Sequence, residues 1–145
     1  MTTAQRTARE ILDAYLRELG NGYSERLLEL FAEKVDWSVP GADEVPWLGA
    51  RSTREEVADF FTSLTGHVAG EEFVVERVLA DDRDGVALGH LKSRVRAHGA
   101  LIETWFALHV TVTDGLITRY RFYEDSLEVA RAWGGRGGTG PGVPA

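Results

Sequence analysis

Apolar positions recur three and four residues apart from Thr7 to Leu19, where Ala8, Ile11, Leu12, Tyr15, Leu16 and Leu19 mark one face of a helix. Gly20 and Gly22 end it. Ser24 has the residue type of an N-cap, and the segment behind it, with Leu27, Leu28, Leu30 and Phe31, predicts a second short helix. Val35, Trp37 and Val39 then alternate with Asp36 and Ser38 until Pro40-Gly41, which predicts a short strand. The stretch from Gly41 to Ser52 holds Pro46, two glycines and an exposed-looking Trp47, so it reads as a long loop that closes over something. Thr53, followed by Glu55 and Glu56, opens a third helix with Val57, Phe60, Phe61 and Leu64 on one side and Gly66 beyond its end.

The remainder changes period from 3.6 to two. Strands are predicted over Glu72 to Ala80, Gly85 to Ala97, Leu101 to Thr113 and Leu116 to Tyr123, separated by Asp81-Asp82, His98-Gly99 and Asp114-Gly115. Turns this short make neighbouring strands antiparallel. Asp125-Ser126 caps a last short helix ending near Trp133. Helices first and a four-strand meander afterwards give an α+β fold with helices packed on one sheet face. Residues 1–133 read as one domain, and the Gly/Pro-rich end from Gly134 to Ala145 as a disordered tail.

Bulk composition narrows the function classes. The 145 residues are 43% hydrophobic and 27% charged, the balance of an ordinary globular domain with a core of its own. A net charge of −7 with scattered basic residues argues against nucleic acid. The absence of cysteine removes disulfides, thiolate nucleophiles and Cys-ligated zinc. No apolar run approaches the ~18–20 residues of a membrane span, and the polar start lacks a signal peptide's apolar stretch, so a cytoplasmic protein without membrane contact is expected. His67, His90, His98 and His109 show no metal spacing, and no phosphate-binding glycine loop or nucleophile elbow is present. Neither a metal nor a cofactor is expected.

Parity points to the chemistry. From Thr104 to Val112 the even positions are the more apolar, which turns them inward and His109 outward. The last strand then presents Tyr120, Phe122 and Glu124 to the interior. A carboxyl walled by Phe106, Phe122 and Tyr120 loses hydration, which raises its pKa towards the range of an acid/base catalyst. The competing reading sets Glu124 at the strand end, in solvent, balancing Arg119 or Arg121. Asp125 is either the cap of the last helix or a second acid/base. Tyr15, on an apolar helix face, needs a partner for its hydroxyl, either a core group or a substrate oxygen. Trp37, Phe60, Phe61, Trp105 and Phe106 read first as core aromatics, and Trp47 as a lid. His90, Lys92, Arg94 and Arg96 form a polar row on the other face, solvated or at an interface.

Several phrases in order resemble the SnoaL-like and ketosteroid-isomerase-like branch of the nuclear transport factor 2-like superfamily. They are Ala14-Tyr15-Leu16, Leu30-Phe31-Ala32, Val35-Asp36-Trp37-Ser38-Val39-Pro40-Gly41, Phe60-Phe61, Asp114-Gly115-Leu116-Ile117 and Tyr123-Glu124-Asp125-Ser126. The resemblance covers residues 7 to 133 and implies a cone enclosing a deep apolar cavity, commonly dimeric through the outer sheet face. It also implies isomerisation, polyketide ring closure or epoxide opening as activities. Tyr15 matches the isomerase's oxyanion tyrosine, whereas the base and the neutral acid of that enzyme fall on Val39 and Leu108. The last Asp of the epoxide-opening relay falls on Phe122. Asp125 matches an Asp that the cyclases keep, and His109 their accompanying histidine.

The resulting expectation is a cofactor-independent cyclase or isomerase of secondary metabolism, acting on a hydrophobic polyketide-like molecule. Its catalytic candidates are Glu124, Asp125, Tyr15 and His109. Its binding candidates are Trp37, Val39, Trp47, Phe60, Phe61, Leu64, Leu91, Ser93, Thr104, Phe106, Leu108, Tyr120 and Phe122. The alternatives are a non-catalytic hydrophobic-ligand carrier or dimeric adaptor, and an epoxide hydrolase.

Overall fold

The first apolar stripe forms helix α1, Ala8–Gly20, in the computed structural model, which describes residues 5–135. Thr7 starts it with a capping box: its hydroxyl accepts the Glu10 N–H and the Glu10 carboxylate accepts the Thr7 N–H. Ile11, Leu12 and Tyr15 are buried beneath it. Helix α2 is a single turn, Glu25–Leu28, with Ser24 at the cap position but making no side-chain cap bond. Phe31 leaves the helical pattern and opens strand β1, Phe31–Val39, four residues earlier than the alternation at Val35 indicated. Its carbonyl accepts both Nε and Nη2 of Arg54, at 2.9 and 2.7 Å.

The expected loop up to Ser52 contains a strand, β2, Gly49–Thr53, antiparallel to β1. Its sequence Gly-Ala-Arg-Ser-Thr has no apolar alternation because it is an edge strand with mostly exposed side chains. Thr53 then caps α3, Arg54–His67, its hydroxyl accepting the Glu56 N–H. The helix runs through Gly66 and does not stop before it.

Strands β3 (Val68–Ala80), β4 (Asp84–Val95), β5 (Leu101–Thr113) and β6 (Leu116–Glu124) form the expected antiparallel meander. Asp114 and Gly115, at φ 53° and 78°, make the two-residue turn between the last two. The sheet order is β2-β1-β6-β5-β4-β3, and β1 lies parallel to β6, a pairing that local turn signals do not announce. Helix α4, Ser126–Trp133, closes the described chain. The expected tail falls outside the described residues beyond Gly135.

The sheet is curved, with register shifts in β3 between Gly70 and Glu72 and between Val75 and Arg77. At Gly89 of β4 a Cβ would overlap the Val74 carbonyl oxygen, so glycine alone fits this close approach of the strands. The concave face carries the core. The convex face carries ion pairs such as Lys92–Glu103 at 3.4 Å and Arg94–Glu71 at 2.9 Å. Trp105 stands on that outer face, 68% exposed, and is not the core aromatic expected from its residue type.

Candidate active site

Register decides what reaches the concave face. On β5, Ile102, Thr104, Phe106, Leu108, Val110 and Val112 are buried. The β6 residues paired with three of them are Tyr120 (to Val110), Phe122 (to Leu108) and Glu124 (to Phe106), so these share the inward face. On β4, Leu91 and Ser93 pair with Thr104 and Ile102 and are partly buried on the same face. Glu124 is therefore a carboxyl at the end of an otherwise apolar row.

Its surroundings are rings. Phe106 stacks on Phe122 at 5.2 Å and on Phe73 of β3 at 4.8 Å, reaching across β4 where Gly89 has no side chain. Glu124 is partly buried and has no hydrogen bond or ion pair among the described residues. Burial pushes its carboxyl up to about 7, and the negative charge of neighbouring Asp125 adds to the effect. Arg119 and Arg121 do not balance it; both pair with Asp36, Arg121 at 2.9 Å.

Deeper along the same face the described aromatic side chains pack against one another. Trp37 stacks on Tyr120 at 3.9 Å with planes 4° apart, Phe60 tilts against Trp37 at 4.8 Å, and Phe61 and Val39 are buried beside them. The Tyr15 and Tyr120 hydroxyls bond each other at 2.7 Å, so the partner that Tyr15 required is a core tyrosine. Burial raises both phenols, which stay neutral at ordinary pH and act as hydrogen-bonding groups, not bases. The Trp37 Nε1 is buried with no hydrogen-bond partner. Leu108 is fully buried and Leu64 packs against this core from α3.

Trp47 departs from the expected lid, whereas His109 faces outward as its parity predicted and Asp125 takes the capping alternative. Trp47 is 4% exposed and is no open lid: it meets Trp133 of α4 edge-on at 5.5 Å and lies 6.1 Å from His67. Local composition gave it an exposed loop because its covering ring comes from the far end of the chain. His109 is on the outer face, where its Nε2 lies 2.9 Å from Asp84 Oδ1, an oxygen that also accepts the Thr111 hydroxyl; it does not reach the concave face. Asp125 is exposed and caps α4, its Oδ1 accepting the Glu128 N–H at 3.2 Å. Thr104, expected among the ligand contacts, has its hydroxyl engaged: it donates to the Trp105 carbonyl and accepts the Asp125 N–H.

Phe73 was missed. It is 39% exposed on the edge strand β3, and its parity is scrambled by the register shift that precedes it. An open groove of about 330 Å³ lies at the other end of the sheet, lined by Arg6, Asp82, Arg83 and Asp114 among others, and excludes Glu124.

Residues 12–120, well over half the chain, match the model of the SnoaL-like domain. The chain belongs to the SnoaL-like family. No curated protein matches it. Solved structures similar to this SnoaL-like chain include a nuclear transport factor 2-like protein from Burkholderia xenovorans, 24% identical, with TM-score 0.78 over 89% of this chain and 98% of that one. An isomerase candidate from Bacillus subtilis is 22% identical, with TM-score 0.74 over 88% and 93%. A SnoaL-like polyketide cyclase candidate from Mesorhizobium loti is 17% identical, with TM-score 0.68 over 81% and 98%. At these identities the likeness is one of fold. No helix among the described residues of this SnoaL-like chain is long and apolar enough to cross a membrane.

Proposed function

We propose that this chain is a cofactor-independent cyclase or isomerase, in which Glu124 moves a proton on a hydrophobic, polyketide-like molecule held against the concave face. The observation that carries this is a partly buried carboxyl, without an ionic partner, set at the end of an apolar face beside stacked phenyl rings. A carboxyl near neutrality is present both as base and as acid at physiological pH. As carboxylate, Glu124 takes a proton from a carbon next to a substrate carbonyl. The enolate either accepts that proton back at another carbon, which isomerises the substrate, or attacks a second carbonyl, whose alkoxide then takes it. Either route returns Glu124 to its starting state. Phe73, Phe106 and Phe122 supply apolar contact and exclude water, which keeps the carboxyl weakly hydrated between steps. The neutral Tyr15–Tyr120 pair stiffens the floor beneath it.

The role belongs to a cytoplasmic enzyme of secondary metabolism. It works as a homodimer joined through the convex sheet face, where exposed Trp105 supplies an apolar anchor. A Trp105→Glu variant is expected to sediment as a monomer where the parent sediments as a dimer, and an unchanged sedimentation coefficient would remove this face from the interface.

The decisive experiment is Glu124→Gln assayed on a panel of polyketide-like β-diketones, alongside native mass spectrometry for a co-purifying ligand. Loss of a general acid/base predicts a fall in kcat of about 10²–10⁴ with the fold retained. Undiminished turnover would rule Glu124 out and leave a carrier or adaptor role for the fold.

A further inference from the structure

We infer that Thr104 is the positioning residue that holds Glu124 against the apolar wall, acting through the backbone of Asp125. The functional meaning of this rests on the acid/base role given to Glu124, whereas the geometry stands by itself.

Among the described residues Thr104 is the one buried polar residue, 4% exposed in a row that otherwise reads Ile102, Phe106, Leu108, Val110 and Val112. Valine has nearly the same shape and would suit that row better, so the hydroxyl needs a reason. The hydroxyl serves both as donor and as acceptor. It donates to the Trp105 carbonyl at 2.8 Å, and it accepts the Asp125 N–H at 2.9 Å.

The second bond lies where β6 ends. The last paired residues of the β5–β6 ladder are Phe106 and Glu124, so the next N–H along β6 has no strand partner. Thr104 supplies a side-chain oxygen in its place. The carboxylate of the same Asp125 caps α4 through the Glu128 N–H. The chain is thus gripped immediately after Glu124 by a hydroxyl from the sheet and by a helix cap.

Such a grip opposes a physical tendency. An ionised carboxylate among phenyl rings gains hydration by swinging outwards, and a strand end freed from its last hydrogen bond lets it do so. The titratable groups that bear on Glu124 are Asp125 and, beneath it, Tyr120, and neither attracts it inward. Backbone restraint is therefore what keeps the side chain on the concave face. Thr104 touches no reacting atom in this scheme.

The test follows the Glu124 carboxyl directly, by carbon-13 NMR titration of the full chain with labelled glutamate. The parent is expected to titrate near 7 and Thr104→Ser likewise, because serine keeps the hydroxyl. Thr104→Val is expected to move the midpoint down by about one unit or more, with its circular dichroism unchanged. A folded Thr104→Val with the parent midpoint would overturn the inference. Amide exchange at Asp125 gives a reading that does not depend on the valine variant folding. Slow exchange in the parent and in Thr104→Ser supports the latch, and exchange in the parent as fast as a free amide refutes it. The two proposals separate cleanly. A shifted midpoint in Thr104→Val together with a fully active Glu124→Gln keeps the latch and discards the acid/base role. An unshifted midpoint with an inactive Glu124→Gln does the reverse.

Discussion

The two ends of the concave face share strand β6, yet they draw their other residues from different elements and differ in what their polar groups do. At the deep end Tyr15, Phe31, Trp37 and Tyr120 fill the space and the two hydroxyls satisfy each other under α1. At the rim Phe73, Phe106 and Phe122 make a wall that is partly open, and Glu124 faces it with no partner among the described residues. Inward parity decides which residues meet the interior, and cover decides which of them are free to act. A paired hydroxyl in a filled core is structure; an unpaired carboxyl at a rim has work left for it.

Mutation of each end should separate the two. The largest effect is expected from Trp37→Ala, which removes the fully buried ring at the centre of the deep cluster and should cost about 3–5 kcal/mol in denaturant unfolding. A cost below about 1 kcal/mol would mean that the deep end is not the packed one. Next comes pH. The Glu124 carboxyl titrates near 4.5 in the unfolded chain and about 7 in the folded one, so between these values the folded state holds the extra proton. Stability should therefore fall as pH rises through that window, by up to about 3 kcal/mol. Glu124→Gln should flatten the slope and be the more stable protein at pH 8, as read from unfolding curves at several pH values. Asp125→Ala removes a helix cap and should cost about 1 kcal/mol, with kcat far less affected than by Glu124→Gln. The smallest change is expected at Phe73→Ala: under about 1 kcal/mol of stability, because the ring is already part exposed, with the KM for an apolar substrate raised. A large stability loss there would put the rim and the deep end in the same class.

Legibility in the sequence followed the range of the interaction. The parity of Thr104 to Val112 reports a strand that is apolar on one side, so it placed Tyr120, Phe122 and Glu124 on the concave face through a two-residue turn. The cap at Thr53 is equally local. Trp47 was misread because the ring that covers it, Trp133, is distant in sequence, and β2 because an exposed edge strand carries no apolar alternation. His109 and Asp125 matched family positions by resemblance, while parity and residue type pointed to an outward histidine and a helix cap, the arrangements seen in their hydrogen bonds to Asp84 and the Glu128 N–H. Thr104 looked like a pocket residue because alternation reports the face and not the partner of a hydroxyl.

The parallel pairing of β1 with β6 has a consequence for how the molecule is made. Asp36 and Arg121 are 85 positions apart, so a nascent chain must emerge from the ribosome nearly to the end of β6 before β1 gains its second neighbour. Until then the edge of β1 that β6 will cover stays open, and chaperones or stray strands of other polypeptides have their chance at it.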